Sequence, residues 1–357
     1  MVNQDRLVRT FIEIAKIDSP TGFEKDISIH IVNLLKKMKV SYTTDKFNNV
    51  VGYLPGSGEP LLISAHMDTV EPGRSIKPII KNGKIRSDGT TIIAGDNKMA
   101  LAAILEAVEC IIESGQKSRP LEIVFTSYEE SGSYGVEGLD YKKLKSKNGY
   151  LFDVSLPIGT IITASPFYDR FDLEILGKAS HASIPEDGIN VVSVFYEALK
   201  HIKLGKVDSE SYVNIGLVKA GDAINTVPEK MIISGEVRSF SGEKQRKHVD
   251  KIEKTFRDAA VKYGAKINWK NLRENEGYLY SKSYPFIKDT ELKMEKIKIK
   301  PVLRWSGGCS DANVFIKKGI KVLNLGNGVK NPHTTREEFS ISDMVKISNL
   351  ILSLSTV

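Results

Sequence analysis

Residues 60–68 read Pro60-Leu61-Leu62-Ile63-Ser64-Ala65-His66-Met67-Asp68, a short apolar run that ends in an imidazole and, two residues on, a carboxylate. Such a run, with almost no polar relief, is the pattern of a strand buried on both faces, as in a parallel sheet covered by helices. Leu121–Thr126 is a second run of this kind, and Gly149–Phe152 and Thr160–Ala164 read as further strands. Ile27, Ile31, Leu34, Leu35 and Met38 fall at offsets 0, 4, 7, 8 and 11, the apolar stripe of an amphipathic helix, and Met99–Ile112 carries a helical pattern too. Strands alternating with helices argue for an α/β sheet with helices on both faces.

The middle of the chain has another rhythm. Phe171–Leu176 alternates apolar and acidic residues, a helix is expected over about 190–202, and strands over Tyr212–Val218 and Met231–Phe240. A helix over about Glu243–Tyr263 and a strand over Lys266–Leu272 close the set. Strand, helix, strand, strand, helix, strand is the split βαβ order of a ferredoxin-like α+β domain. The α/β rhythm then resumes with Val302–Trp305, a helix near Asp311–Lys318, a strand over Lys321–Leu325 and a last helix from Ser342. The economical organisation is one discontinuous α/β domain, 1–166 and 276–357, with a smaller domain inserted at 167–275. No internal repeat or low-complexity stretch interrupts it.

Composition narrows the function classes. The chain has 357 residues, 51 basic and 44 acidic, for a net charge of +7, with 41% hydrophobic and 27% charged residues. These values belong to a folded globular protein and exclude a collagen, a disordered tail or a disulfide-stapled mini-domain. The longest apolar stretch, Ala100–Ile112, is broken by Glu106 and Glu109 and falls short of the roughly 18 residues of a membrane span. The opening residues, Met1 to Arg6, lack the basic-then-apolar pattern of an export signal, and only Cys110 and Cys309 are present. A reducing, cytoplasmic location is expected. The basic excess is spread along the chain, with lysine pairs at 36–37, 142–143 and 317–318, and reads as solvated faces. Neither a nucleic-acid nor a membrane partner is expected.

The chemistry-bearing residues stand just past the apolar runs. His66 and Asp68 follow the first, Asp96 follows Ile92-Ile93-Ala94-Gly95, Glu129 and Glu130 follow Leu121–Thr126, Asp153 follows Tyr150-Leu151-Phe152, and His333 follows Leu323-Asn324-Leu325 and a glycine-rich loop. In open α/β sheets, ligands bind outside the carboxyl ends of strands, so these clusters could converge. Singly, each has an ordinary explanation: Asp96 as a helix N-cap, Asp153 as a turn residue, His333 as a loop histidine. Together, two imidazoles and several carboxylates without a thiolate set suit zinc or a neighbouring divalent ion. Asp96, Glu130 and Asp153 would set three negative charges against two divalent ions, one carboxylate can bridge such a pair, and Glu129 is left free to take a proton. Asp68 can hold the second nitrogen of His66 from behind. No His-Glu-x-x-His helix, Gly-x-Ser-x-Gly elbow or phosphate-binding loop competes; Ser306-Gly307-Gly308-Cys309-Ser310 is glycine-rich but lacks the lysine.

On these residues the sequence resembles the co-catalytic dizinc hydrolases that include peptidase T, carboxypeptidases and aminoacylase, and is most similar to the peptidase T-like branch. The matching stretches are Ser64-Ala65-His66-Met67-Asp68-Thr69, Ala94-Gly95-Asp96-Asn97-Lys98, Tyr128-Glu129-Glu130, Phe152-Asp153, Gly177-Lys178-Ala179-Ser180-His181-Ala182, Asn225-Thr226-Val227-Pro228-Glu229, Gly307-Gly308-Cys309-Ser310-Asp311-Ala312-Asn313 and His333-Thr334-Thr335. They run in family order along almost the whole chain. The resemblance implies a mixed-sheet zinc exopeptidase catalytic domain with an inserted ferredoxin-like domain serving as lid and dimerisation element. It implies two Zn2+ ions, with Co2+ or Mn2+ able to replace them. His66 and Asp153 would hold one ion, Glu130 and His333 the other, and Asp96 both; Glu129 would be the general base, with Asp68 behind His66. The Asp96–Asn97 peptide would be cis. His181 would reach into the site of a second subunit and stabilise an oxyanion. Asn225, Arg238, Gly307 and Gly308 would contact the substrate.

Two departures accompany the match. Asn97 stands where an aspartate is common, and Cys309 where relatives often carry another small residue. Either Glu337 or Glu338 could fill the family's downstream glutamate position, and His30, His201 and His248 are expected at the surface. The sequence therefore leads to a homodimeric dizinc aminopeptidase of short peptides. An N-acyl-amino-acid deacylase or carboxypeptidase with the same metals, and a catalytically silent metal-binding scaffold, remain as alternatives.

Overall fold

The structure is a computed structural model that describes residues 1–357. The chain divides into two compact units, one made of Met1–Thr163, Tyr280–Trp305 and Ser310–Val357, the other of Ala164–Leu279 and Ser306–Cys309.

The first unit is built on a mixed sheet. Across it run Ser41–Thr44, Val50–Leu54, Leu121–Thr126, Leu61–His66, Asn148–Val154, Lys321–Gly326 and Thr160–Ser165, and Val302–Trp305 pairs with the last of these. Its four central strands are parallel: Leu61–His66 lies between Leu121–Thr126 and Asn148–Val154, and Lys321–Gly326 flanks the latter. Every residue of Leu61–His66 and Leu121–Thr126 is buried, which is why both read as mainly apolar runs rather than alternating ones; the buried exception Glu122 accepts the amides of Lys145 and Ser146. Helices Gln4–Ala15, Gly95–Ser114 and Ile341–Ser355 pack against one another over one core with Phe11, Ile104, Phe125, Phe339 and Ile351 inside it. The first helix starts at Asn3, whose side chain accepts the Arg6 amide at 3.0 Å.

The parallel register fixes the functional edge. His66 stands opposite Thr126, Ser64 opposite Leu151, and Gly326 opposite Val154, so the chain leaves all four strands along the same carboxyl edge. The sequence expectation of an apolar strand-like run before Asp96 is corrected here. Ile92–Ala94 is buried but is not a strand, and Ala94 takes φ +59°, turning the chain into the helix Gly95–Ser114. Asp96 and Asn97 keep non-helical dihedrals at the start of that helix, joined by a cis peptide, and the Asp96 carboxylate is not its cap.

The second unit is a five-stranded antiparallel sheet in the order Gly205–Lys206, Ser211–Ala220, Lys230–Ser239, Phe167–Leu176 and Lys266–Asn275. Leaving the short edge strand aside, the order is that of a ferredoxin-like domain. Helices Val191–Leu199 and Gly242–Tyr263 pack on it around Phe171, Val194, Ile233, Val237, Ile252 and Phe256. Tyr278 and Leu279 pair with Ser165 and Ala164, and the loop Ser306–Cys309 joins this unit through Ser306 N–H to the Ala164 carbonyl at 2.9 Å and Ser165 Oγ to the Gly308 carbonyl at 2.8 Å. No helix is long and apolar enough to cross a membrane.

Phe256 is fully buried on the inner face of its helix. Phe256→Ala should destabilise this unit by about 3–5 kcal/mol through lost burial and a residual cavity, read as an earlier transition in urea. An unshifted transition would contradict the packing.

Candidate metal centre

Five segments deliver side chains to the carboxyl edge of the sheet. His66 is the last residue of its strand, Asp153 the last but one of Asn148–Val154, and Asp96 sits at the kinked start of its helix. Glu129 and Glu130 lie in the turn after Leu121–Thr126, and His333 in the loop after Lys321–Gly326. The structure brings these six together. Ligand-capable atoms of His66, Glu129 and Asp153 lie within 4.8 Å of one another, as do those of Asp96, Glu130 and His333. Asp96 faces both groups: its Oδ1 is 3.6 Å from His66 Nε2 and its Oδ2 is 3.5 Å from His333 Nε2. His66 Nε2 also lies 3.3 Å from Asp153 Oδ1, and His333 Nε2 3.0 Å from Glu130 Oε1.

The ring of His66 is oriented from behind, but not chiefly as the sequence suggested. Its Nδ1 donates to the backbone carbonyl of Asp68 at 2.9 Å, while the Asp68 carboxylate stands at 3.4 Å. That bond leaves Nε2 as the free ligand atom. The carboxylate of Asp68 also accepts the amides of Glu129 and Glu130, at 3.0 and 3.1 Å, and the Thr21 hydroxyl at 2.8 Å.

Crowding carboxylates in a low-dielectric recess has electrostatic consequences. Burial pushes Asp153 up to about 7, helped by Asp96 and Asp311 against the opposing pull of His66. Burial and Asp153 likewise hold Glu129 well above the usual carboxylate range. Burial works against a charged His66, but Asp153, Asp68 and Asp96 outweigh it and raise its pKa well above that of a free imidazole. Asp96 and Glu130 raise His333 to about 10. Asp96 itself is lowered, because His333 and His66 overcome the cost of its burial. The site draws positive charge from whatever source is at hand.

The donor set fits divalent cations. It is made of imidazole and carboxylate alone, the chemistry of zinc, cobalt or manganese sites. Asp96 Oδ1 is buried without a hydrogen-bond partner, an uncommon state for a carboxylate oxygen unless a cation satisfies it.

Asn324 escaped the sequence reading, as did the contacts that Asn97, Glu337 and Asp311 make. Asn324 accepts the Asp153 amide through Oδ1 at 2.9 Å and donates to the Asp153 carbonyl at 3.2 Å; the signal was a polar residue inside the apolar strand Lys321–Gly326. Asn97 donates to Asp153 Oδ1 at 3.0 Å, a contact that an aspartate could not make. Between the two candidate glutamates, Glu337 is the buried one; it accepts the amides of Ile93 at 3.0 Å and Asp96 at 2.9 Å, while Glu338 pairs with Lys84. Gly95 permits this approach, since a Cβ there would stand 2.7 Å from the Phe339 ring and 3.2 Å from Glu337 Oε1. Asp311 is buried and accepts the Thr126 hydroxyl at 2.5 Å.

The remaining expected residues belong to the second unit. His181 is exposed, and its Nδ1 lies 2.7 Å from Ser183 Oγ and accepts the Ser183 amide at 3.2 Å. Asn225 is exposed, and its carbonyl accepts the Ala182 amide. Arg238 is held by Glu236, donates to the Gly307 carbonyl at 3.0 Å and lies over the Tyr168 ring. Gly307 has open space where a side chain would stand, and Gly308 nearly so. Of the histidines expected at the surface, His201 is exposed and His248 is half-buried against Asp208. His30 is half-buried too, with a buried Nε2 that has no hydrogen-bond partner, so of the three only His201 is fully at the surface.

Comparison with known proteins follows the same lines. Residues 62–356 match the model of peptidase family M20/M25/M40. The protein YqjE of Bacillus subtilis (strain 168) is 31% identical over 365 residues, covering 99% of this chain and 98% of that protein. The crystal structure of aminopeptidase PepT from Bacillus cereus ATCC 10987 superposes with a TM-score of 0.95 at 32% identity, covering 99% of this chain and 98% of that one. A tripeptidase from Staphylococcus aureus subsp. aureus Mu50 superposes with a TM-score of 0.97 at 30% identity and the same coverage.

The raised His333 predicts how the metal-free chain responds to pH. A group with a folded pKa of about 10 and an unfolded one near 6.5 adds stability that is complete below about 6.5 and lost as pH rises through about 10. In the presence of chelator, the melting temperature should fall over that window, and His333→Asn should flatten the fall. Superimposable profiles for the two chains would contradict the ion pairs drawn above.

Proposed function

The chain belongs to peptidase family M20/M25/M40 and is a metallopeptidase, and from that premise we propose that it is a dizinc aminopeptidase of short peptides with a free amino terminus. The observation that carries this reading is the pair of imidazole–carboxylate groups with Asp96 facing both. The choice of aminopeptidase is supported by similarity to an aminopeptidase and a tripeptidase at 32% and 30% identity.

In this reading His66 and Asp153 would hold one zinc and Glu130 and His333 the other, with Asp96 available to each. When bound, the two ions supply Lewis acidity, polarising the scissile carbonyl and lowering the pKa of water. Glu129 has a basicity raised by burial and by Asp153; it takes a proton from the attacking water and returns it to the leaving amine. Asp68 fixes the backbone that carries Glu129 and Glu130, and its carbonyl keeps the His66 ring in the ligating tautomer. His181 has its Nδ1 engaged by the Ser183 amide, so its Nε2 is the proton-bearing nitrogen available to an oxyanion. Asn225, Arg238, Gly307 and Gly308 line the substrate's path.

The second unit serves as lid and dimerisation domain, giving a homodimer in which His181 works in the partner's site. The exposed Tyr212, Leu217 and Val218 on the strand Ser211–Ala220 support a protein partner there. A reducing, cytoplasmic location suits the two free cysteines.

Glu129→Gln is expected to bind two zinc ions per chain and lose about 10²–10⁴-fold in kcat; full turnover would contradict the general-base role. Wild type should cleave tripeptides with a free amino terminus and lose that activity on dialysis against chelator. Cleavage confined to N-acylated substrates would assign the site to a deacylase instead.

A further inference from the structure

The turn Tyr128-Glu129-Glu130 is held in an uncommon way. Three successive backbone amides are each claimed by a buried carboxylate. Asp68 Oδ1 accepts the Glu129 amide at 3.0 Å and Asp68 Oδ2 the Glu130 amide at 3.1 Å. The Tyr128 amide goes elsewhere, to Glu24 Oε1 at 3.1 Å. Glu24 is fully buried, also accepts the Gly22 amide at 2.9 Å, and has a second oxygen with no hydrogen-bond partner. It stands at the N-cap position of the helix Lys25–Lys37, but its side chain makes no capping bond. Its reach across the fold to Tyr128 therefore accounts for its burial better than any service to its own helix.

The backbone explains why that amide needs a partner. Tyr128 has φ +55°, a left-handed conformation uncommon for residues with a Cβ and costly for a bulky side chain. Were Tyr128 to return to an ordinary conformation, the direction of the chain into Glu129 would change. The segment before Glu24 is itself anchored. Ser19 Oγ donates to the Met67 carbonyl at 2.8 Å, Thr69 N–H to the Ser19 carbonyl at 3.0 Å, and Thr21 N–H to the Thr69 carbonyl at 3.2 Å. Thr21 Oγ1 then reaches Asp68 Oδ2. Both carboxylates of the clamp are thus tied to the chain just past the strand Leu61–His66.

We propose that Glu24 is a positioning residue for Glu129: it fixes the left-handed turn at Tyr128 through that residue's amide, and so sets where the Glu129 carboxylate stands. The amides of Glu129 and Glu130 keep their own partner in Asp68, so loss of Glu24 misplaces the base without emptying the metal centre. This inference rests on the reading of Glu129 as general base.

The test compares zinc-loaded wild type, Glu24→Ala, Glu24→Gln and Glu129→Gln in tripeptide hydrolysis, zinc per chain, and amide hydrogen exchange over 127–131. Glu24→Ala is expected to lower kcat about 30-fold, since a misplacement of about 1 Å costs up to about 10²-fold. Its KM should stay within about threefold, its zinc content should be unchanged, and exchange over 127–131 should be faster by about tenfold. Glu24→Gln, which retains an acceptor oxygen, should restore kcat to within about fivefold of wild type. If the alanine chain does not fold, Glu24→Asp, one methylene shorter, takes its place with the same readings. A kcat within about twofold of wild type, unchanged exchange over 127–131, or zinc loss that accounts for the lost activity would overturn the proposal. A wild type without peptidase activity, or Glu129→Gln with full turnover, would instead defeat the functional reading. The exchange measurement needs no substrate and would then decide for or against the clamp by itself.

Discussion

The carboxylate of Asp96 stands between the two imidazole groups of the site. It presents one oxygen to His66 and the other to His333, and it can do so only because the chain leaves its helical path there. Ala94 turns into the left-handed region, Gly95 leaves room for the Phe339 ring, and Asp96 and Asn97 keep extended or bridging dihedrals before regular helix begins at Lys98. Glu337 then pins the Ile93 and Asp96 amides from behind. A buried carboxylate placed so close to two imidazoles must be answered by positive charge. Without a cation the imidazoles retain protons to supply it, as the elevated His66 and His333 indicate.

Around this residue each functional group is set by a polar partner from another segment. Asn324 brackets the Asp153 backbone, and Asn97 binds its carboxylate. Asp68 spans two amides of the Glu129–Glu130 turn, and Glu24 takes the amide before them. These groups are buried, where an unmade hydrogen bond costs about 1–3 kcal/mol, so the network resists small rearrangements. The parallel sheet contributes what it alone can: four strands ending at one edge, with functional groups on the loops beyond them.

Much of this was legible in the chain. Leu61–His66 and Leu121–Thr126 announced themselves because burial on both faces removes polar residues. The split βαβ rhythm of the second unit survived in the alternation of Phe171–Leu176, whose burial does alternate. Less legible were features that depend on tertiary partners. Ile92–Ala94 looked like a strand because it is apolar and buried, yet its backbone is bent by Ala94. Helices Gln4–Ala15 and Pro285–Lys296 were not anticipated, nor was the small sheet of Ile79–Lys81, Lys84–Arg86 and Glu338–Ser340. In the site, His66, Asp96, Glu129, Glu130, Asp153 and His333 could be nominated from residue type and position. Only half of the task of Asp68 could, because adjacency to His66 pointed to the ring, which its carboxylate approaches at 3.4 Å, but not to the amides 61 and 62 residues away that it also accepts. Nor could Glu337 be told from Glu338 before the fold showed which of them is buried.

In the proposed centre Asp96 would stand between two cations. Anomalous diffraction from crystals of the zinc-loaded protein, collected above and below the zinc absorption edge, reads this directly. Two peaks are expected, one on the His66 side of the Asp96 carboxylate and one on the His333 side. A single peak, or peaks that leave Asp96 out of contact with either ion, would contradict it.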